Sequence, residues 1–160
     1  MSVKCHEIIS AMEILAPKNL AESWDNVGLM LGSQNDNINK ILFALDCSEA
    51  VIDEAIEIGA NMIITHHPFI FKALKTLDFD TPIGKKIKKA IKNNINIYSA
   101  HTNLDIAEGG TNSTLSNILE LNNVTGLFRT GESSFLGKIG YLKSEMTLSE
   151  LAIFVKEKLN

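Results

Sequence analysis

Asn61-Met62-Ile63-Ile64-Thr65-His66-His67 is the stretch that decides how this chain is read. An apolar run of strand length suits a strand covered on both faces of a parallel sheet. Here it stops abruptly on two histidines. Lys40-Ile41-Leu42-Phe43-Ala44-Leu45-Asp46 upstream has the same character, and so does Ile95-Asn96-Ile97-Tyr98-Ser99-Ala100 downstream, followed by His101. Between the first two runs, Ser48 is placed to cap a helix through about Ile58, with Val51, Ile52, Ala55 and Ile58 facing inward and Gly59 ending it. Between the second and third, Thr81-Pro82 opens a helix whose stripe is Ile83, Ile87, Ala90 and Ile91 and which Asn93-Asn94 close. Strand, helix, strand, helix, strand with short joints means βαβ units. The reading predicts a three-layer α/β/α fold with a mainly parallel sheet. Its strands at 40–46, 61–66 and 95–100 should be adjacent and parallel.

The flanks are less regular. Residues 3–15 place Ile8, Ile9, Met12 and Leu15 on one helical face, closed by Pro17. Val27, Leu29 and Leu31 alternate as in a short strand, and the polar residues 33–39 read as a surface turn. Gly109-Gly110-Thr111-Asn112 enters a helix carrying Leu115, Ile118 and Leu119, and residues 137–143 read as one more strand. Thr147-Leu148-Ser149-Glu150 is a capping box opening a helix with Leu148, Leu151, Val155 and Leu159. That helix runs into Asn160 with no C-cap and no returning strand, so the chain reads as truncated at its C-terminus. Without repeat or linker, the 160 residues read as a single α/β domain, 1–160.

Composition narrows the function classes. Hydrophobic residues make up 45% and charged residues 21%, the balance of a folded globular protein. No apolar run approaches the roughly 18 residues of a membrane span, and the first residues lack the basic-then-apolar order expected of a signal peptide. A net charge of −4 argues against attachment to nucleic acid or anionic membrane. Cys5 and Cys47 cannot build a disulfide framework, which points to a reducing, cytoplasmic setting. Arg129 is the only arginine, so bidentate phosphate clamps have little to work with. The lysines at 85, 86, 88, 89 and 92 lie opposite an apolar stripe and read as a solvated face. A P-loop and a Gly-x-Ser-x-Gly elbow are both missing, which excludes common nucleotide triphosphatases and serine hydrolases.

In an open α/β sheet, ligands bind beyond the carboxyl ends of the strands. Those ends deliver Asp46, then His66 and His67, then His101 with Asp105 four residues on; only His6 lies elsewhere. A lone strand-end histidine is more often structural or a general base, but this clustering favours metal binding. Imidazole nitrogen and carboxylate oxygen are ligands of zinc, manganese, iron and nickel. Adjacent histidines point different ways and could hold different ions, while Asp105 could bridge two. We therefore expect His66, His67, His101 and Asp105 to converge as metal ligands, with Asp46 near the rim. Asp46 reads equally as an acceptor orienting a histidine or as an ordinary helix-entry residue. Cys47 is soft enough to ligate, though a buried cysteine is usually a small apolar residue. Gly109-Gly110 could expose N–H groups to an anion, or simply turn the chain. Trp24-Asp25-Asn26 reads as loop chemistry, or as a core anchor followed by a turn.

Trp24-Asp25-Asn26-Val27-Gly28-Leu29, Thr65-His66-His67-Pro68, Ala100-His101-Thr102-Asn103-Leu104-Asp105 and Gly109-Gly110-x-Asn112 resemble, in order and spacing, the motifs of the Nif-three-like proteins. These are also known as GTP cyclohydrolase 1 type 2 homologues. The resemblance runs from the first helix to the end of the chain. It implies a cytoplasmic α/β protein with a dinuclear metal centre, commonly a homohexameric ring. On it, His66, His67 and Asp105 would be ligands of two divalent ions, with His101 a ligand or close neighbour. The family completes its site with a His-x-x-x-Glu pair from a C-terminal segment, and no histidine follows His101 here. Two functions then compete: a metal-dependent hydrolase of a nucleotide-like or small polar substrate, in which a histidine shuttles a proton, and a non-catalytic metal-binding scaffold or regulatory protein. An open coordination position would mark the former. A metal-free interaction domain would leave the histidine clustering unexplained.

Overall fold

The computed structural model describes residues 2–159, and the chain divides into two compact units at Leu104–Asp105. The first unit contains β1 (Val3–Lys4), α1 (Cys5–Leu15), a 3-10 turn (Lys18–Leu20), β2 (Gly28–Leu31), β3 (Asn37–Ile38), β4 (Ile41–Ala44), α2 (Glu49–Ile58), β5 (Met62–Thr65), α3 (Pro82–Lys92) and β6 (Asn96–Ser99). A short helix, α4 (Thr102–Ile106), carries the chain across the division.

The central sheet has the order β2-β6-β5-β4. β4, β5 and β6 are adjacent and parallel as predicted, and their register sets Ala44, Thr65 and Ser99 side by side at the carboxyl edge. The sheet as a whole is mixed, not mainly parallel. β2 joins β6 antiparallel, Gly28 opposite Ser99 and Leu29 opposite Tyr98, with an irregularity between Leu29 and Leu31. β5 and β6 are buried throughout, whereas Leu29, Met30 and Leu31 are only half-buried, as suits an edge strand. Partial cover leaves the direction open, since β4 at the opposite edge is also part-covered and runs parallel. β1, at the start of the stretch read as a helix, pairs antiparallel with β3, which lies inside the region read as a turn and buries Ile38 in the core.

Two apolar clusters cover the two faces of this sheet. On one side Ile63 and Ile97 pack with Ile52 and Ala55 of α2 and Ile87 and Ala90 of α3. On the other, Met62, Ile64 and Tyr98 pack with Cys5, Ile8, Ile9 and Met12 of α1. The alternation of Met62, Ile63 and Ile64 between the clusters explains the uninterrupted apolar run. Leu15 does not join its expected face; the last turn of α1 leaves it exposed. The helix ends follow their sequence signals. Ser48 Oγ accepts from Val51 N–H, Gly59 closes α2 at φ 69°, and Thr81 Oγ1 accepts from Gly84 N–H at the start of α3.

The second unit contains α5 (Thr111–Ile118), β7 (Asn122–Arg129), β8 (Phe135–Tyr141) and α6 (Leu148–Leu159). β7 and β8 form an antiparallel hairpin, a further departure from the mainly parallel reading. β7 is mostly exposed, so its residues carry no buried-strand pattern. The capping box of α6 is formed: Glu150 accepts from Thr147 N–H at 2.7 Å, and Thr147 Oγ1 accepts from Glu150 N–H at 3.3 Å. Glu120, just past α5, accepts from both Lys143 and Lys158.

Candidate metal centre

The register of the parallel strands determines what meets at their carboxyl edge. One residue beyond Thr65 comes His66, then His67; two beyond Ser99 comes His101; two beyond Ala44 comes Asp46. Backbone bonds from His66 N–H to Ala44 O and from His67 N–H to Leu45 O continue the ladder past the strand ends. Thr65 Oγ1 donates to His67 O and shares a 2.9 Å hydrogen bond with Ser99 Oγ, fixing both turns. The three imidazoles gather with ring centroids 5.2 to 5.7 Å apart. One nitrogen from each lies within 4.8 Å of the others.

The tautomers follow from what each Nδ1 touches. His66 Nδ1 lies 3.0 Å from the Ala100 carbonyl, His67 Nδ1 2.8 Å from Asp46 Oδ1, and His101 Nδ1 3.0 Å from Asp25 Oδ1. A carbonyl or an ionised carboxylate can only accept, so all three Nδ1 atoms carry the proton. In the neutral ring Nε2 then holds the lone pair. This is the backing that metal-binding histidines ordinarily have. The group suits a cation chemically: borderline nitrogen donors, with anionic or carbonyl acceptors behind them.

Asp25 is the most tightly held of these acceptors. Its side chain is fully buried. Besides His101 it accepts from the Thr102 N–H and hydroxyl, and from Asn26 N–H at 2.8 Å. Burial pushes its carboxyl up, but the bonds from Thr102, His101 and Asn26 outweigh that and hold it below the usual value. It therefore stays an acceptor in mildly acidic solution.

His66, His67 and His101 are thus brought together, and Asp46 stands behind His67 with its side chain 65% exposed. Asp105 lies on α4, the first residue of the second unit, where its carbonyl accepts from Asn112 Nδ2 at 2.9 Å. Cys47 belongs to the core, and burial pushes its thiol up to about 11, far from the thiolate that binds metal. Gly110 precedes α5 as its N-cap, and Gly109 takes φ 76°, as a chain-turning pair would. The role of Asp25 was not singled out from sequence; the signal was the Trp24-Asp25-Asn26 motif itself. The Ala100 carbonyl could not have been found, because any residue supplies a carbonyl.

Comparison with known proteins gives a consistent picture. The family described as Duf34/NIF3 (NGG1p interacting factor 3) matches residues 3–160. The GTP cyclohydrolase 1 type 2 homologs of Clostridium perfringens and Clostridium acetobutylicum are each 46% identical over 98% of this chain, covering 61% and 60% of their own lengths. Among solved structures, the Staphylococcus aureus hypothetical protein SA1388 superposes with a TM-score of 0.89 at 30% identity, over 98% of this chain and 64% of its own. Reduced HcgD from Methanocaldococcus jannaschii gives 0.86 at 35% identity, over 98% of this chain and 60% of its own. The chain thus spans about three fifths of the length of these relatives.

Proposed function

The chain belongs to the Duf34/NIF3 family, and from that footing we propose that it is a metal-dependent hydrolase of a nucleotide-like or small polar substrate. His66, His67 and His101, with Asp105, hold two divalent ions, zinc, manganese, iron or nickel. One observation carries the reading: the three Nδ1 protons are all committed to acceptors, which sets three Nε2 lone pairs at the edge of one sheet. A divalent cation bound there supplies Lewis-acid polarisation of the scissile group and of the attacking water. The chain's own residues do the rest. Asp25 and Asp46 hold the imidazole protons at Nδ1 and keep the rings from turning. His67, with its side chain 46% exposed, leaves the cluster open to solvent and to a small molecule. Asp105 enters by its place four residues after His101 and by the resemblance. The relatives' name brings a nucleotide-like substrate into consideration. The protein works in the cytoplasm as a homo-oligomer, a hexamer by the same resemblance; no helix among the described residues is long and apolar enough to cross a membrane.

The test is elemental analysis of protein purified without chelator or nickel resin, followed by zinc titration. Wild type should bind zinc, and His67→Ala should lose at least about tenfold in affinity. Equal zinc affinity in the two would remove the basis of the reading. Hydrolysis of GTP by the zinc-loaded wild type, absent in His67→Ala, is the expected catalytic result. Zinc binding without hydrolysis of any nucleotide offered would favour the scaffold.

A further inference from the structure

Beside the histidines stands a pair of aromatic rings that the proposed metal chemistry does not use. Trp24 is 57% exposed and Phe71 47%, a large apolar area to leave in water. They are 6.2 Å apart, centroid to centroid, and inclined at 70°. The Trp24 ring lies 6.4 Å from that of His101, inclined at 77°. Both contacts are edge-type, so neither neighbour lies flat on the indole.

These rings are held in place by polar bonds that do not involve them. Glu22 N–H donates to Thr102 Oγ1 at 3.0 Å, and Asp25, the residue after Trp24, is anchored to His101 and Thr102. Asn26 Nδ2 donates to Ile70 O at 2.6 Å, tying the Trp24 loop to the segment that carries Phe71. Phe69 is buried, and its N–H donates to Ser99 Oγ at 3.3 Å. An exposed tryptophan on a loop ordinarily moves freely; this one is set beside Phe71 and His101 by buried and backbone anchors. Such a rigid, solvent-facing wall is what stacking recognition uses, because a planar ring gains binding free energy on an aromatic face.

We propose that Trp24 and Phe71 form a stacking subsite for a planar nitrogen heterocycle, whose polar substituent reaches the histidine cluster. The inference rests on the reading of that cluster as a metal-bearing site, and it names the part of the substrate that is recognised away from the reacting group. Trp24 is the only tryptophan in the chain, so its single indole N–H resonance reports on the wall directly.

The experiment titrates guanosine, and ribose as the ring-free control, into zinc-loaded protein while the indole resonance and Trp24 fluorescence are followed. Guanosine should shift the resonance and quench the emission saturably, and ribose should do neither. Phe71→Ala should weaken guanosine binding about tenfold, as expected for loss of one stacking face, and leave zinc affinity within about twofold because it supplies no donor. Phe71 is exposed, and an unchanged melting temperature would establish that this variant folds. Trp24→Phe, read by the zinc-dependent rise in melting temperature, should likewise keep zinc binding. If zinc binds and guanosine leaves the indole unmoved, or if Phe71→Ala binds guanosine as wild type does, the subsite is wrong and the metal reading survives. An indole signal that changes with protein concentration and not with guanosine would show a second copy covering the wall, and would overturn the proposal too. Guanosine binding in protein that takes up no zinc would leave the wall standing and sink the metal reading.

Discussion

Each of the three clustered imidazoles depends on one acceptor behind it, and the acceptors differ in kind. The Ala100 carbonyl is tied to the sheet, Asp46 is largely solvated, and Asp25 is buried. Removing the charge from Asp25 should therefore matter most. Asp25→Asn would set an amide against the Thr102 donors and blur the His101 tautomer. The expected loss is about 1–3 kcal/mol of stability and about 10–100-fold in zinc affinity, read by denaturant unfolding and by zinc titration; Asp46→Asn should cost far less stability. Tyr98 is a contrasting case. It is fully buried, and its hydroxyl has no hydrogen-bond partner among the described residues. Burial first, and Glu13 second, push the phenol up to about 12. Tyr98→Phe should leave stability unchanged or raise it by up to about 1 kcal/mol in urea unfolding, since a desolvated hydroxyl is removed with its ring packing kept. A marked loss would reveal a hydrogen bond that the fold keeps hidden.

At the level of elements, legibility followed burial. β5 and β6, covered on both faces, wrote themselves into the sequence as apolar runs, and α2 and α3 declared both ends through Ser48, Gly59, Thr81 and Pro82. Ser48→Ala should cost about 1 kcal/mol by thermal unfolding, since Val51 N–H would lose its acceptor. β7 was not legible because its residues are mostly exposed, and the pairing of β1 with β3 was missed because two-residue strands have no period to read. The direction of β2 escaped for another reason: alternation shows that a strand is half-covered, not which way its partner runs. The site divides in the same manner. Histidines at strand ends are visible as letters, whereas Asp25, visible only as part of the Trp24-Asp25-Asn26 motif, reaches His101 across 76 positions, so nothing local tells which residue it backs.

For the molecule as a whole, the second unit carries its own pH dependence. Hydrogen bonds from Lys143 and then Lys158 hold the Glu120 carboxyl at about 2. A depressed carboxyl stabilises above its ordinary value, and that contribution fades as pH falls toward 2. Wild type should thus unfold at slightly lower pH than Glu120→Gln. Their small difference at neutral pH should shrink in high salt, because the group is exposed and screened. The first unit's parallel register has a different consequence, one of chain length. Ala44, Thr65 and Ser99 stand in line, so the donors are placed by counting residues from that line. Deleting one residue within 62–65 would turn His66 and His67 to opposite faces and dissolve the cluster, although every chemical group remained. Residues 72–77, exposed throughout and lying outside that count, should accept one or two inserted glycines with zinc uptake intact. In a library of single-residue insertions and deletions sorted by zinc-dependent thermal protection, survivors should fall in the loop and be missing from the strands, so the centre should tolerate almost no change of frame.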